Sequence, residues 1–171
     1  MVFNMSLKEK VRKNIVQIGG ILEEGPKHPQ WDFGFKFKFP NKRGKTITIA
    51  KPKGKNFIEI ANGTKLDDIH RKMFSNFNKD QKSNFIKKLH LIILNNNFES
   101  SINVNPERFV YVIIERLFIE NEAIPVNDFY RSVKSVTFCS LKCNYFIQNQ
   151  FNKDYDPTKD GFDANDFMPF T

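Results

Sequence analysis

Residues 31–39 read WDFGFKFKF, and the alternation in this stretch decides the fold. Successive side chains of an extended chain point to opposite sides, so Trp31, Phe33, Phe35, Phe37 and Phe39 share one face and Asp32, Gly34, Lys36 and Lys38 the other. An unbroken aromatic row needs shielding from water, which makes this segment a sheet strand facing a core. The same row has the make-up of a base-stacking platform on an RNA-binding sheet, but five large side chains on one face are the composition of a core.

The neighbouring residues extend the sheet. Pro40–Gly44 reads as a turn, Thr46–Ala50 as a returning strand with Ile47 and Ile49 inward, Lys51–Gly54 as a second turn, and Phe57–Ala61 as a third strand. Three short strands joined by tight turns form an antiparallel meander. Upstream, Leu7, Val11, Ile15, Ile18 and Leu22 recur at helical spacing behind a Ser6/Glu9 capping box, which predicts a helix weakened at Gly19-Gly20 and ended by Gly25-Pro26.

Downstream, Thr64 with Asp67 marks a helix start, and Leu66, Ile69, Met73, Phe74 and Phe77 form its apolar stripe. A second helix follows, with Phe85, Ile86, Leu89, Ile92 and Ile93 inward. The most hydrophobic run is Arg108–Glu120, RFVYVIIERLFIE, preceded by a strand at Ser101–Asn105. Among its odd positions Phe109, Tyr111, Ile113, Leu117 and Ile119 are apolar, and so are Val110, Val112, Ile114 and Phe118 among the even ones. An antiparallel strand usually has one wet face, so a strand apolar on both requires a cover for the second, which makes Val110, Val112, Ile114 and Phe118 the candidate dimer or partner face. Pro125 then introduces a long helix, about Val126 to Gln148.

These elements predict an α+β fold: a twisted antiparallel sheet of about five strands with helices packed on it, in the order α-β-β-β-α-α-β-β-α. Residues 1–171 read as a single domain, with 151–171 an acidic extension packed on the surface. No stretch has the roughly twenty apolar residues of a membrane span, and the opening residues lack a signal-peptide core. Two cysteines, Cys139 and Cys143, make no disulfide framework, so the expectation is a reducing, cytoplasmic setting.

The net charge of +8 is unevenly placed. Residues 1–65 hold 14 Lys/Arg against 5 Asp/Glu, and residues 33–58 carry Lys36, Lys38, Lys42, Arg43, Lys45, Lys51, Lys53 and Lys55 with no acid. This hairpin region is the candidate polyanion-binding surface, its cations able to neutralise phosphates; the competing reading is lysines that guard a sheet edge against unwanted pairing.

Catalytic chemistry has no visible seat. Neither a G-x-x-x-x-G-K-[ST] nor a G-x-G-x-x-G loop occurs, and no nucleophile elbow is present. Cys139 and Cys143 share a helix face, but tetrahedral zinc wants four ligands and His28, His70 and His90 are scattered. Asp156, Thr158, Asp160, Gly161 and Phe162 have the spacing of a calcium loop, yet its twelfth position is Phe167 where a bidentate carboxylate belongs, so an Asp/Gly turn is the reading. No metal, cofactor or small-molecule ligand is expected.

Through WDFGFKFKFP, RFVYVIIERLFIENEAI and KDGFDANDFM the sequence resembles an uncharacterised archaeal domain-of-unknown-function family. Its element order looks like that of type III secretion chaperones, small dimeric proteins that hold extended partner segments, and of the YbjN-type proteins. The resemblance implies a non-enzymatic binding module, homodimeric and chaperone- or adaptor-like, that holds a protein or peptide; the alternative is an RNA- or DNA-binding protein using residues 36–55.

Overall fold

The computed structural model describes residues 5–105 and 107–151. The acidic stretch 152–171, with the calcium-like spacing at Asp156–Phe167, lies outside the described residues.

The chain opens with α1 (Leu7–Gln17), where the Ser6 hydroxyl accepts from the Glu9 amide and the Glu9 carboxylate accepts from the Ser6 amide. Four strands follow: β1 (Ile21–Glu23), β2 (Trp31–Phe39), β3 (Lys45–Pro52) and β4 (Phe57–Lys65). Helices α2 (Asp68–Ser75) and α3 (Lys79–Leu94) lead to β5 (Glu99–Asn105), β6 (Arg108–Phe118) and the long α4 (Val126–Phe151). All strand pairs are antiparallel, in the spatial order β1-β2-β3-β4-β6-β5. The hairpin β5–β6 returns from the helix pair and inserts β6 directly against β4.

The predicted α+β order holds, with one strand more than expected. The sixth is β1, in the segment whose Leu22 matches the helical stripe of α1. The helix stops at Gln17 because Gly19 takes φ +82°, a left-handed conformation that breaks the helical path and that glycine adopts without strain. Leu22 then pairs with Phe37 as a strand residue.

Two further expectations need correction. Trp31 does not share the face of Phe33–Phe39: the register shifts between Trp31 and Phe33, so Trp31 pairs with Pro52 while Phe33 pairs with Lys51. This bulge carries the indole to the opposite side, where its ring approaches the position a Gly34 side chain would occupy. In α2 the cap is Asp67, not Thr64, which belongs to β4. Phe74 and Phe77 turn inward onto Phe85, but Ile69 is 70% exposed and Met73 is exposed as well, because they point roughly 100–140° around the helix from Phe74.

The core lies between the sheet and a layer of helices on one side of it. Phe85 and Phe74 meet Phe109 edge-on, Tyr130 meets Phe39, and Ser132 and Asn144 of α4 bond Glu115 and Tyr111 of β6. From the same side α1 contributes the fully buried Val11 and Ile15. These contacts all reach the face that carries Phe35, Phe37, Ile47, Ile49, Ile58, Ile60, Tyr111 and Ile113. Among the described residues no helix lies on the other face.

Candidate functional site

Strand register sets the composition of the uncovered face. Reading across the sheet, Lys36, Thr48, Ala61, Ile114 and Glu99 form one row, and Ala50, Glu59 and Arg116 the next. Gly63 lies opposite Val112, Lys65 opposite Val110, and Phe57 opposite Phe118. The expected partner-face residues therefore do come together: Val110, Val112 and Ile114 are half-buried, and Phe118 is 64% exposed. Phe57 joins them, its ring meeting Phe118 edge-on at 5.9 Å.

Ionic groups frame this apolar centre. Arg116 lies 2.7 Å from the Glu99 carboxylate and 3.4 Å from that of Glu59, with its guanidinium 5.1 Å from the Phe57 ring centre. On the opposite side of the face Lys36 lies 3.4 Å from Glu23. Apolar centre and paired charged rim together have the anatomy of a protein–protein contact surface.

The eight basic residues of the hairpin region do not form one patch. Lys45 and Lys51 sit near opposite ends of β3, which at a strand's rise separates them by about 20 Å. Lys51, expected in a turn, lies within the strand on the core side, buried and 3.1 Å from the Asp32 carboxylate. Lys53 and Lys55 are exposed in the turn beyond it, around Gly54. Lys42 is exposed in the β2–β3 turn.

Three of the eight converge. Lys38, Arg43 and Lys45 line a cavity of about 430 Å³ together with Gly44, Thr46, Asn62, Gly63, Thr64 and Lys65. Lys65 was absent from the sequence-based set because it lies at the far end of the next strand. The signal was available only on extending the alternation of Ile58 and Ile60 past Ala61, which puts residue 65 on the same face as residues 59 and 61.

Other ionisable groups are set by the core. Glu115, on the core side of β6, accepts from the Ser132 hydroxyl at 2.9 Å through Oε1, whereas its buried Oε2 has no partner. Burial pushes this carboxyl above its usual range, and the Ser132 bond offsets part of the rise. It lines a cavity of about 360 Å³ with Asn96, Asn97, Phe98, Ser135 and Phe138, which include no second ionisable group to share acid–base work. The fully buried Tyr111 donates to Asn144 Oδ1 at 2.7 Å, and burial pushes its hydroxyl upward too.

Cys139 and Cys143 are buried free thiols one turn apart on α4, and their mutual hydrogen bond holds the first low and drives the second up. Among the described residues no three His, Cys, Asp or Glu side chains gather as a metal site, and no helix is long and apolar enough to cross a membrane.

No curated protein matches the chain. A solved structure, described as an uncharacterized protein from Methanothermobacter thermautotrophicus, superposes with a TM-score of 0.75 over 85% of this chain and 99% of that one. At 19% identity the likeness is one of fold. The family model described as Uncharacterized conserved protein (DUF2299) matches residues 7–147, from the first residue of α1 to the last buried residue of α4, and the chain belongs to that family.

Proposed function

We propose that this protein is a non-enzymatic binding module that self-associates through the uncovered sheet face, as a homodimer of chaperone- or adaptor-like character. The observation that carries this reading is the one-sided helix layer. Among the described residues all four helices serve one face of the sheet, while Val110, Val112, Ile114, Phe57 and Phe118 lie on the other.

A second copy is the favoured occupant because the face is self-complementary in form. Its apolar residues run along β4 and β6, and ion pairs flank them on both sides, Glu23 with Lys36 and Glu99 with Arg116. Two such faces related by a two-fold axis would stack apolar centre on apolar centre. The resemblance of the element order to dimeric secretion chaperones supports the same reading, with a peptide partner held beside the dimer.

Binding of nucleic acid along residues 36–55 has weaker support. A phosphate track needs a continuous run of cations, and here Lys51 is buried against Asp32 and Lys36 is paired with Glu23. Light scattering on the purified chain at micromolar concentration tests the proposal: a particle of twice the 20.1 kDa chain mass is expected, and a monomer removes self-association.

A further inference from the structure

The sheet ends in two edges of different construction. At one, β1 holds only three residues, and the chain beyond it stays against β2: a Cβ on Gly25 would come within 2.6 Å of the Gly34 carbonyl oxygen. At the other, β5 reads ESSINVN and pairs with β6 along its whole length without a register shift. Natural edge strands are blunted by lysine, proline, a bulge or shortness, and β5 has none of these.

The backbone groups on the outer side of β5 follow from the ladder. Leu66 donates its amide to the Phe109 carbonyl, so odd-numbered residues of β6 direct their backbone groups at β4 and even-numbered ones at β5. Val110, Val112 and Ile114 pair with Asn103, Ser101 and Glu99, which leaves Ser100, Ile102 and Val104 with N–H and C=O directed away from the sheet. None of the three has a backbone partner on that side among the described residues. Their side chains lie on the helix side, opposite the buried Ile113, Tyr111 and Phe109, so this edge is distinct from the face proposed for self-association.

Helix α3 borders the edge. His90 Nδ1 lies 2.8 Å from Ser100 Oγ, and Lys87 and Leu94, one turn to either side of His90, share that side of the helix and are exposed. Over its length α3 carries Lys79, Lys82, Lys87 and Lys88 against Asp80.

We propose that the outer edge of β5 takes an extended acidic peptide as a seventh strand, with apolar side chains over Val104 and Leu94 and carboxylates near the lysines of α3. Main-chain bonds to Ser100, Ile102 and Val104 supply affinity, and the alternate side chains supply specificity. The proposal rests on the binding-module reading and not on self-association. Charge favours a peptide over the β5 of a second copy. Antiparallel pairing of β5 with its own image about a two-fold axis would set the lysine-rich α3 beside its copy, whereas acidic side chains are attracted to it.

Fluorescence polarisation tests it, using the full chain and a labelled, blocked peptide of alternating valine and threonine with a glutamate at each end. Saturable binding is expected. The same peptide N-methylated at every amide keeps its side chains but loses its donors, and should bind roughly tenfold more weakly or worse. A version ended by lysines should also bind more weakly, by a margin that shrinks as salt is raised. Val104→Pro removes one outward N–H and leaves the bonds to β6 in place, since those come from the residues on either side of it; it should weaken binding roughly tenfold. Val104→Thr keeps the amide and should bind like the parent, as should Val112→Asp on the proposed self-association face.

Absence of saturable binding would overturn the proposal, whether a second copy or the chain's own acidic stretch 152–171 holds the edge instead. Equal binding of the N-methylated or lysine-ended peptide would overturn it too, as would full affinity in Val104→Pro. Light scattering of the same samples reads self-association separately: a dimer that ignores the peptide refutes the edge site alone, and a monomer that binds it refutes self-association alone. A dimer lost in Val104→Pro but kept in Val112→Asp would give the edge to a second copy and so overturn the peptide. Should Val104→Pro fail to fold by circular dichroism, the N-methylated peptide decides.

Discussion

At the scale of single residues, two positions depart from what their surroundings favour. The bridge Glu120–Ala123 closes a two-residue turn, with Glu120 and Ala123 exchanging backbone bonds of 3.0 and 2.9 Å. Both central residues are left-handed, Asn121 at φ +49° and Glu122 at φ +56°. Asparagine tolerates this; glutamate carries the steric cost of its Cβ. Glu122→Gly is therefore expected to stabilise the protein by about 0.5–1 kcal/mol in urea unfolding, because relief of strain outweighs the added freedom of the unfolded chain.

Glu115 is the second such position. Its folded-state pKa is raised by burial, so the folded chain holds this proton more tightly than the unfolded chain does. The stability it contributes is full below the unfolded value of 4.5 and is lost as pH rises through the raised folded value. Glu115→Gln cannot ionise yet keeps an oxygen for Ser132. The difference in melting temperature, variant minus parent, should grow more positive from pH 4.5 upward and then level off. A difference that stays flat with pH would mean that the carboxyl titrates alike in both states.

At the scale of elements, the junction of α1 and β1 is held by close packing. Gly20 donates its amide to the Ile15 carbonyl at 2.8 Å. A Cβ there would come within 2.7 Å of the Phe37 ring and 2.8 Å of Ile15, whose neighbours in the core leave little room to yield. Gly20→Ala should accordingly destabilise by about 1–3 kcal/mol, read as a lower urea midpoint with an unchanged slope.

This junction also shows which parts of the fold were legible in the sequence. Strands β2, β3, β4 and β6 and helices α3 and α4 announce themselves through sustained period-two or helical spacing, since each buries one face along its whole length. Three-residue β1 is too short to show a period, and Leu22 satisfies the stripe of α1 by coincidence of spacing. Short α2 misleads for a related reason: in eight residues Ile69 and Met73 look like one stripe with Phe74, although Phe74 alone is buried. The site was legible to a similar depth. The two-faced character of β6 was plain from its residues, whereas the cationic cavity depends on register, which brings Lys65 beside Lys38 and strands Lys51 on the core side.

At the scale of the whole molecule, the uncovered face accounts for an otherwise costly choice of residues. A sheet face meant for water would place polar side chains at positions 110, 112 and 114, as β5 does opposite them with Ser101 and Asn103. Val112 sits at the middle of that strip, half-buried, between Gly63 and Ser101. An aspartate there would sit on the face that no helix covers among the described residues, so its cost to folding is the modest loss of strand preference, below about 1 kcal/mol. In a two-fold assembly the same substitution appears twice and removes roughly 2 kcal/mol of apolar burial each time, before the expense of desolvating the carboxylates is added. Val112→Asp is thus expected to raise the dimer dissociation constant about a thousandfold or more while leaving the melting temperature of dilute protein nearly unchanged. Sedimentation equilibrium of parent and variant reads the first effect and calorimetric melting the second. A variant that associates as tightly as its parent would place the self-association surface elsewhere, and one that unfolds would show that the face is already covered within a single chain.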